Sequence, residues 1–343
     1  MSVRRMRGGI LAACAIAPVL ALTACGDDEG AGGKGDGGDS ADVKVSLAHS
    51  YTEAQPQHRC GAQVIADEVE KADVGLTVEV FAGSQLGGDA DRISSVVSGD
   101  IDMDIQGASA LGAVYEPISV LDAAYAFDDG EHLARYFDSD ASTDLINGFA
   151  KETGVQTLGA WSAGMRQFTA NQPVRTPDDL DGLRMRFPNS PQFLMNAKAL
   201  GADAVEVAYE ELFLALQQGT VDGQENPIVN IAAISLDEVQ DVISLSSHQA
   251  NSNLVIIGEV WDELSTEQQE VLQSAVDAAV DQVPGCVEED EQKTLAEWEE
   301  NGALEVVDDV DVDAFRTQVD AYLRDNFNEE QLAVYEGIRG TAE

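Results

Sequence analysis

The sequence is poor in positive charge. It holds 19 lysines and arginines against 63 aspartates and glutamates, which gives a formal net charge of −44 at pH 7. Proteins that bind nucleic acid carry basic patches, so this balance argues against nucleic acid as a partner. So negative a chain favours solubility instead, as in a salty habitat.

Histidine and cysteine are also scarce, with four of each, and this limits enzyme and metal chemistry. No H-E-x-x-H or G-x-S-x-G occurs, and the "HRC" of residues 58–60 lacks the further ligands of a zinc site. The acidic "DIDMD" of residues 100–104 has Ile105 and Leu111 where a calcium loop needs glycine and glutamate. We therefore expect no catalysis, no metal and no cofactor.

Only one apolar run approaches membrane-spanning length, and it lies near the start. It follows the basic "MSVRRMR" and is too short, and too interrupted by Pro18 and glycines, for a comfortable span. Its end, "LTAC", resembles the lipobox of bacterial lipoproteins. We predict a signal peptide at residues 1–24 and lipidation of Cys25. The alternative is ordinary secretion with Cys25 free.

Residues 25–42 are predicted to form a flexible Gly/Asp-rich linker, because this stretch has no large apolar side chain to bury. The protein is then exported and lipid-anchored to the outer face of the cell membrane. Beyond the signal and the anchor, two cysteines remain, Cys60 and Cys286. Outside the cytosol such a pair forms a disulfide or stays as two free thiols, and the sequence leaves both open.

Residues 43–160 alternate between strand and helix patterns. "VKVSLA", "GLTVEVF" and "MDIQ" read as strands, and "QHRCGAQVIADEVEKA" and "DADRISSVVSGD" read as helices, the second ending near Gly99. This βαβαβ order predicts a parallel sheet covered on both faces. Ligands of such sheets lie beyond the carboxyl ends of the strands, which brings Tyr51 and Gln106 near any site.

Near residue 155 the chain begins a second α/β unit. "VQTLGAWSAGMRQFTAN" reads as strand, loop and strand, "TPDDLDG" as a helix start, "LRMRF" as a strand and "TVDGQENP" as a turn. From Ser265 onward the tail is helical, with a capping box in "STEQ", a strand in "ALEVV" and an expected interruption at Pro284. The overall class is α/β.

Four of the few cations lie in the short stretch from Arg166 to Arg186. In "LRMRF" Arg184 and Arg186 share one face of the predicted strand, and must reach solvent or meet an anion. The alternative is pairing with nearby acids, which we favour for Arg184; the candidates are Asp178, Asp179 and Asp181.

The segments "GMRQFTANQPVRTPDDLDGLRMRFPNSP", "LGADAVEVAYEELFLALQQGTVDGQENP" and "EVQDVISLSSH" together resemble the solute-binding subunits of TRAP transporters, of the C4-dicarboxylate-binding type. The resemblance covers residues 43–330. It implies a two-lobed, periplasmic-binding-protein-like α/β fold with a hinge and long C-terminal helices. Lobe I would be residues 43–163 plus 252–291, and lobe II residues 164–251 plus 292–343.

The resemblance also implies site residues. The carboxylate-binding arginine falls on Arg186 and a second arginine on Arg166. An asparagine falls on Asn226, an aromatic pocket residue on Tyr209 and a histidine on His248.

Further candidates come from the residues themselves. Glu225 is expected to orient an arginine from behind rather than meet an anion. The wall residues that select the solute are predicted to be Tyr51, Gln106, Trp161 and Tyr209. The "VPGC" interruption and the Cys60/Cys286 pair depart from the family pattern.

The resulting prediction is a monomeric extracytoplasmic binding lipoprotein. It captures a small organic carboxylate by hinge closure and delivers it to the small and large membrane subunits of a TRAP transporter. The alternative is a binding lipoprotein of an ATP-driven importer or a surface sensor. The identity of the solute stays open.

Overall fold

The computed structural model describes residues 43–342. The predicted signal peptide, the lipidated Cys25 and the linker lie outside these residues. Within the described part, no helix combines the length and the apolar character needed to cross a membrane.

The described strands form one mixed sheet. They are β1 (Val43–His49), β2 (Leu76–Phe81), β3 (Met103–Gln106), β4 (Gln156–Ala170), β5 (Arg184–Phe187), β6 (Asp203–Glu206), β7 (Gly223–Pro227), β8 (Val242–Ile257) and β9 (Glu305–Val307). The order across the sheet is β2-β1-β3-β8-β4-β7-β5-β6, and β9 pairs with β8 off this path.

Helices cover both faces of the sheet. The α-helices are α1 (Gln63–Ala72), α2 (Asp89–Ser98), α3 (Ala108–Leu111), α4 (Gly130–Phe137), α5 (Thr143–Thr153), α6 (Pro191–Leu200), α7 (Leu212–Gln217), α8 (Ile228–Ala233), α9 (Thr266–Asn301), α10 (Val312–Asn326) and α11 (Glu329–Arg339). A π-helix, Gln57–Ala62, leads into α1. The 3₁₀ helices are Glu116–Asp122, Asp140–Ser142, Pro177–Leu180, Tyr209–Glu211, Leu236–Glu238 and Glu259–Glu263.

The first half of the sheet, β1 to β3, has the predicted βαβαβ form. β1 lies parallel to both β2 and β3, and its Val45 and Leu47 are fully buried. Helix α1 buries Ile65 and Val69 on its apolar face. Helix α2 ends at Gly99, whose φ of 80° closes the helix, so the predicted helix end is confirmed.

Strands β4 and β8, of 15 and 16 residues, run through both halves of the sheet as antiparallel partners. One end of β8 pairs with β3, and the opposite end of β4 pairs with β7. The prediction of two strands separated by a loop in "VQTLGAWSAGMRQFTAN" is therefore wrong. The ladder takes up the small residues of "AWSAG" through a register shift between Ser162 and Met165, where Gly164 has a φ of 98°.

The second half of the sheet consists of β5, β6 and β7. β5 lies parallel to β6 and β7. The predicted turn at "TVDGQENP" is wrong, because residues 223–227 form a fully buried strand. Its polar side chains satisfy one another: Gln224 Nε2 donates to Thr169 Oγ1 at 2.9 Å and Asn226 Nδ2 to Gln224 Oε1 at 2.6 Å. A buried polar run of this kind looks like a turn in the sequence.

Helix α9 continues through Pro284, so the predicted interruption is wrong. Proline removes one backbone hydrogen bond from a helix. The helix continues because its apolar stripe is buried on both sides of that point, at Ala279, Val283 and Val287. Tertiary packing therefore overrides the local helix-breaking signal.

A disulfide bond joins Cys60 in the π-helix to Cys286 in α9. Beside it, Arg59 Nη2 and Asp290 Oδ2 lie 2.7 Å apart. These two links hold the middle of α9 against the first half of the sheet.

The tail follows its sequence signals. Ser265 caps α9, and its side chain and that of Gln268 exchange hydrogen bonds with the opposite backbone N–H groups, as the capping box predicts. "ALEVV" forms β9, and α10 and α11 then pack Phe315 and Ile338 into the core.

Candidate functional site

Arg186 lies on β5 with its side chain buried, at 2% exposure. Its Nε donates to the carbonyl of Val207 at 2.8 Å. Within residues 43–342 its Nη groups make no hydrogen bond or ion pair. Burial lowers the pKa of the guanidinium to about 10, with the charges of Glu225 and Arg166 acting in opposite directions. The group is therefore charged at neutral pH, and no carboxylate of the described residues forms an ion pair with it.

Arg184, two residues earlier, behaves differently. It is exposed, and its Nε and Nη2 bind the carboxylate of Asp222 at 2.9 and 2.6 Å. The favoured pairing with an acid is confirmed, but the acid is Asp222 and none of the three suggested, which were Asp178, Asp179 and Asp181.

Arg166 is held by the protein on most sides. Its Nε and Nη2 both donate hydrogen bonds to the Glu225 carboxylate. The distance from Nη2 to Oε1 is 2.8 Å. Nη1 donates to Asn251 Oδ1 at 2.6 Å, and Nη2 approaches Asn226 Oδ1 at 3.2 Å. The guanidinium carbon lies 4.8 Å from the centre of the Phe193 ring. The charge of Arg166 is thus neutralised within the protein.

Glu225 is the fully buried partner in this pair. Burial by itself would raise its pKa, but the charge of Arg166 and the hydrogen bonds of Arg166 and His248 hold the pKa below its ordinary value. His248 Nε2 lies 3.4 Å from Glu225, its Nδ1 lies 2.8 Å from Ser246 Oγ, and its ring stacks on Phe168. Burial lowers the pKa of His248. The histidine contacts Glu225 and positions it.

Tyr209 lies beside the two arginines. Its hydroxyl donates to the carbonyl of Asn230 at 3.3 Å. Burial raises the pKa of Tyr209, while the charges of Arg186 and Arg166 act to lower it. Its partly buried ring therefore lies within electrostatic reach of both guanidinium groups.

Tyr51 reaches the same region from the first half of the sheet. Its hydroxyl lies 2.9 Å from Asn253 Oδ1. Asn253 and Asn251, which binds Arg166, are two residues apart on β8 and so face the same way. Neither asparagine was predicted; the available signal was the alternation of amide side chains in "HQANSN".

Gln106 and Trp161 are hydrogen-bonded to neither of the buried arginines Arg166 and Arg186. The Gln106 amide binds Asp104 at 3.2 Å and the backbone N–H of Gly107 at 3.0 Å, at the end of β3. Trp161 packs in the apolar cluster around α9, where a side chain at Gly61 would come within 3.3 Å of the indole.

Gln55 and Ser84, from the first part of the chain, each form a hydrogen bond with a residue of the later part. The buried Gln55 donates from Nε2 to Asn230 Oδ1 at 2.9 Å, and Ser84 Oγ donates to Glu210 Oε1 at 3.2 Å. Asn230 is also the residue that accepts from Tyr209. The sequence offers no local signal for these contacts, which join segments 175 and 126 residues apart.

Sites for small molecules often lie where two parts of a fold meet, and a few placed polar groups fix the orientation of the ligand. The chain belongs to the bacterial extracellular solute-binding proteins of family 7, whose model matches residues 47–330.

Individual relatives agree with this. The chain is 32% identical to the 2,3-diketo-L-gulonate-binding periplasmic protein YiaO of Escherichia coli K12, over 82% of this chain and 87% of that one. It is 30% identical to the C4-dicarboxylate-binding protein DctB of Bacillus subtilis 168, over 77% and 76%. The structure resembles a TRAP periplasmic solute-binding protein from Polaromonas sp. JS666 bound to D-erythronate, with a TM-score of 0.81, 28% identity, and coverage of 88% and 100%.

Proposed function

We propose that this protein is the extracytoplasmic solute-binding subunit of a TRAP transporter and that it holds a small organic carboxylate on Arg186. The observation that carries the proposal is the buried guanidinium of Arg186, whose Nη groups have no protein partner in the described chain. A buried charge without a partner costs several kcal/mol. A carboxylate matches the guanidinium fork with two parallel hydrogen bonds, which a lysine cannot reproduce.

Arg166 plays a smaller part in this proposal. Glu225 neutralises it, and only the second Nη1 hydrogen is left, since Asn251 takes the first. Asn226 and His248 then serve to hold Arg166 and Glu225, while Tyr209 and Tyr51 border the solute.

The proposal takes the lobes to be residues 43–163 plus 252–291 and residues 164–251 plus 292–343. Strands β4 and β8 cross between them, and the register shift at Ser162 supports a hinge there. The contacts of Gln55 and Ser84 with the other lobe belong to the closed form. The solute shifts the population toward closure because it touches both lobes only when they are shut.

The partners in this proposal are the small and large membrane subunits of the transporter. The "LTAC" ending at Cys25 supports a lipid anchor on the outer face of the cell membrane. Membrane fractions should retain the wild-type protein and release the Cys25→Ser variant. Copurification with an ATPase pair instead of a permease would favour the ATP-driven importer.

A melting scan of the protein against a panel of organic carboxylates tests the binding function. A ligand at 100 times its Kd stabilises the folded state by about 2.7 kcal/mol. We expect a rise in melting temperature with at least one carboxylate, without turnover of it, and no rise in the Arg186→Ala variant. No rise with any carboxylate, or an equal rise in the variant, contradicts the proposal.

A further inference from the structure

We propose that the solute is a monocarboxylate whose remaining polar groups are uncharged, such as a hydroxylated organic acid, and not a dicarboxylate. This inference rests on the proposed function, since it takes Arg186 as the residue that binds the carboxylate. It follows from which buried cations and which buried uncharged groups lack a partner.

Three arginines and no lysine are buried in the described part of the chain. Arg92 binds Asp104 through Nε at 3.2 Å and Asp89 through Nη2 at 2.9 Å. Arg166 grips Glu225. Arg186 alone among these three has no acid partner, so the site offers one unit of uncompensated positive charge.

The histidines near the first half of the sheet add no charge. Burial, together with the charges of His58 and Arg92, lowers the pKa of His49 to about 3. His58, whose Nδ1 lies 3.1 Å from His49 Nε2, also has a pKa lowered by burial. The pKa of the buried His248 is likewise lowered. These imidazoles are neutral at pH 7 and leave a second carboxylate without a cation.

A dicarboxylate would therefore bury one of its charges unpaired. Such a charge loses its hydration in the closed site and gains no opposite charge in return. Glu225 already neutralises Arg166, so that arginine offers no uncompensated charge to a second anion. A solute with one carboxylate matches the charge of the site.

The unpartnered uncharged groups indicate what the rest of the solute carries. Gln57 is fully buried, and neither its Oε1 nor its Nε2 has a hydrogen-bond partner in the described residues. The Nε1 of the buried Trp161 also lacks one. An amide that needs both a donor and an acceptor is completed by hydroxyl groups, whereas a carboxylate has no hydrogen to donate and would leave the amide oxygen unpaired.

A series of neighbouring residues leads from these groups toward Arg166. Gln57 and Gly61 are four residues apart in the π-helix and so face similar directions, and Gly61 lies against the Trp161 indole. Trp161 is paired across the sheet with Asn253, which binds Tyr51. Asn251, on the same face of β8, binds Arg166.

The relatives include both chemical classes, since YiaO is named for a keto sugar acid and DctB for C4-dicarboxylates. Likeness alone therefore does not decide between them. The single uncompensated positive charge, at Arg186, favours the monocarboxylate class.

Calorimetric titration of the protein tests the inference. The probes are two series: hydroxylated monocarboxylates of four to nine carbons, beginning with D-erythronate, and dicarboxylates of four to six carbons, beginning with succinate. We expect the tightest monocarboxylate to bind at least about tenfold more tightly than any dicarboxylate. A dicarboxylate that binds as tightly, with its affinity lost in Arg186→Ala, overturns this inference and leaves the proposed function standing. No binding in either series contradicts the proposed function itself.

The Gln57→Leu variant tests the role of the amide. We expect it to weaken the best hydroxylated acid at least about tenfold, with an unchanged melting temperature when no solute is added. Gln63→Leu, on the exposed side of the following helix, is the matched control. Unchanged affinity in a folded Gln57→Leu variant would show that the amide does not contact the solute, and the hydroxyl part of the inference would be wrong.

Discussion

Arg184 and Arg186 share one face of β5, and only Arg184 is neutralised by an acid. The difference lies in position along the strand. Arg184 lies at the exposed start and pairs with Asp222, whereas Arg186 is buried and its side chain hydrogen-bonds only to the carbonyl of Val207 among the described residues. The pair therefore supplies a test position and its internal control.

Replacement of Arg186 is predicted to abolish much of the solute affinity. Each charge-assisted hydrogen bond contributes about 1.5–3 kcal/mol, so Arg186→Ala should weaken binding at least about tenfold. Arg186→Lys should restore little, because a lysine cannot form the two parallel bonds. Isothermal titration with the best carboxylate of the panel measures both.

The control is Arg184→Ala, which removes a cation from the same face of the same strand. It should leave the affinity within about twofold, since exposed ion pairs contribute little. Equal losses of affinity in the two alanine variants would mean that the solute is bound by general electrostatic attraction and not by direct contact with Arg186.

Local patterns predicted the parallel first half, the arginine strand and the capping box at Ser265. They failed where tertiary packing decides. Pro284 lies inside a continuous helix because the apolar stripe beside it stays buried, and residues 223–227 form a strand because their polar side chains bond to one another. Both errors come from judging a buried segment by rules suited to exposed ones.

The prediction of the site from the sequence was limited in the same way. The resemblance placed Arg166, Asn226 and His248, and the structure brings these around Glu225. Gln55 and Asn253 were missed because their partners are 175 and 202 residues away in the chain. No local period reveals contacts at that separation.

Glu291 predicts a pH dependence of stability. On α9, the carboxyl reaches Gly164 at the register shift of β4, and its Oε1 is buried without a hydrogen-bond partner in the described residues. Burial raises its pKa from 4.5 to about 8. The folded chain thus holds this proton more tightly than the unfolded chain, so stability is lost as pH rises from about 4.5 toward 8.

The Glu291→Gln variant keeps the shape of the protonated carboxyl without its titration. Its melting temperature should fall less than that of the wild type between about pH 5 and pH 8. Asp104, whose pKa burial raises to about 7, acts in the same direction in both proteins and cancels in the comparison. Glu289→Gln, an exposed position on α9, is the control. Identical pH profiles for wild type and Glu291→Gln would rule out a buried titrating carboxyl here.

The Cys60–Cys286 bond is predicted to stabilise the protein. It closes a loop between residues 226 positions apart, and removal of a native disulfide typically costs about 2–5 kcal/mol. Cys286→Ser should unfold at lower urea concentration than the oxidised wild type, and reduced wild type should behave like the variant. Alkylation of both cysteine-containing peptides in the unreduced protein would show two free thiols instead.

Substitution of Gln55 tests the proposed closure without changing the residue that binds the carboxylate. Its Nε2 bonds Asn230, whose own carbonyl accepts from Tyr209. Under the proposed closure, Gln55→Ala removes a contact that forms only when the two lobes meet. The net contribution of one buried hydrogen bond is about 0.5–1.5 kcal/mol, so affinity should fall by about two- to tenfold.

The same variant should leave the melting temperature without solute nearly unchanged if the open form dominates there, because the lost bond belongs to the closed form. Gln63→Ala, which removes an exposed amide bonded to Asp67 within α1, should alter neither property. A Gln55→Ala protein with wild-type affinity would mean that this bond does not help to close the lobes. A loss of stability as large as the loss of affinity would mean that the contact is present with or without the solute, and the protein would then bind by another motion.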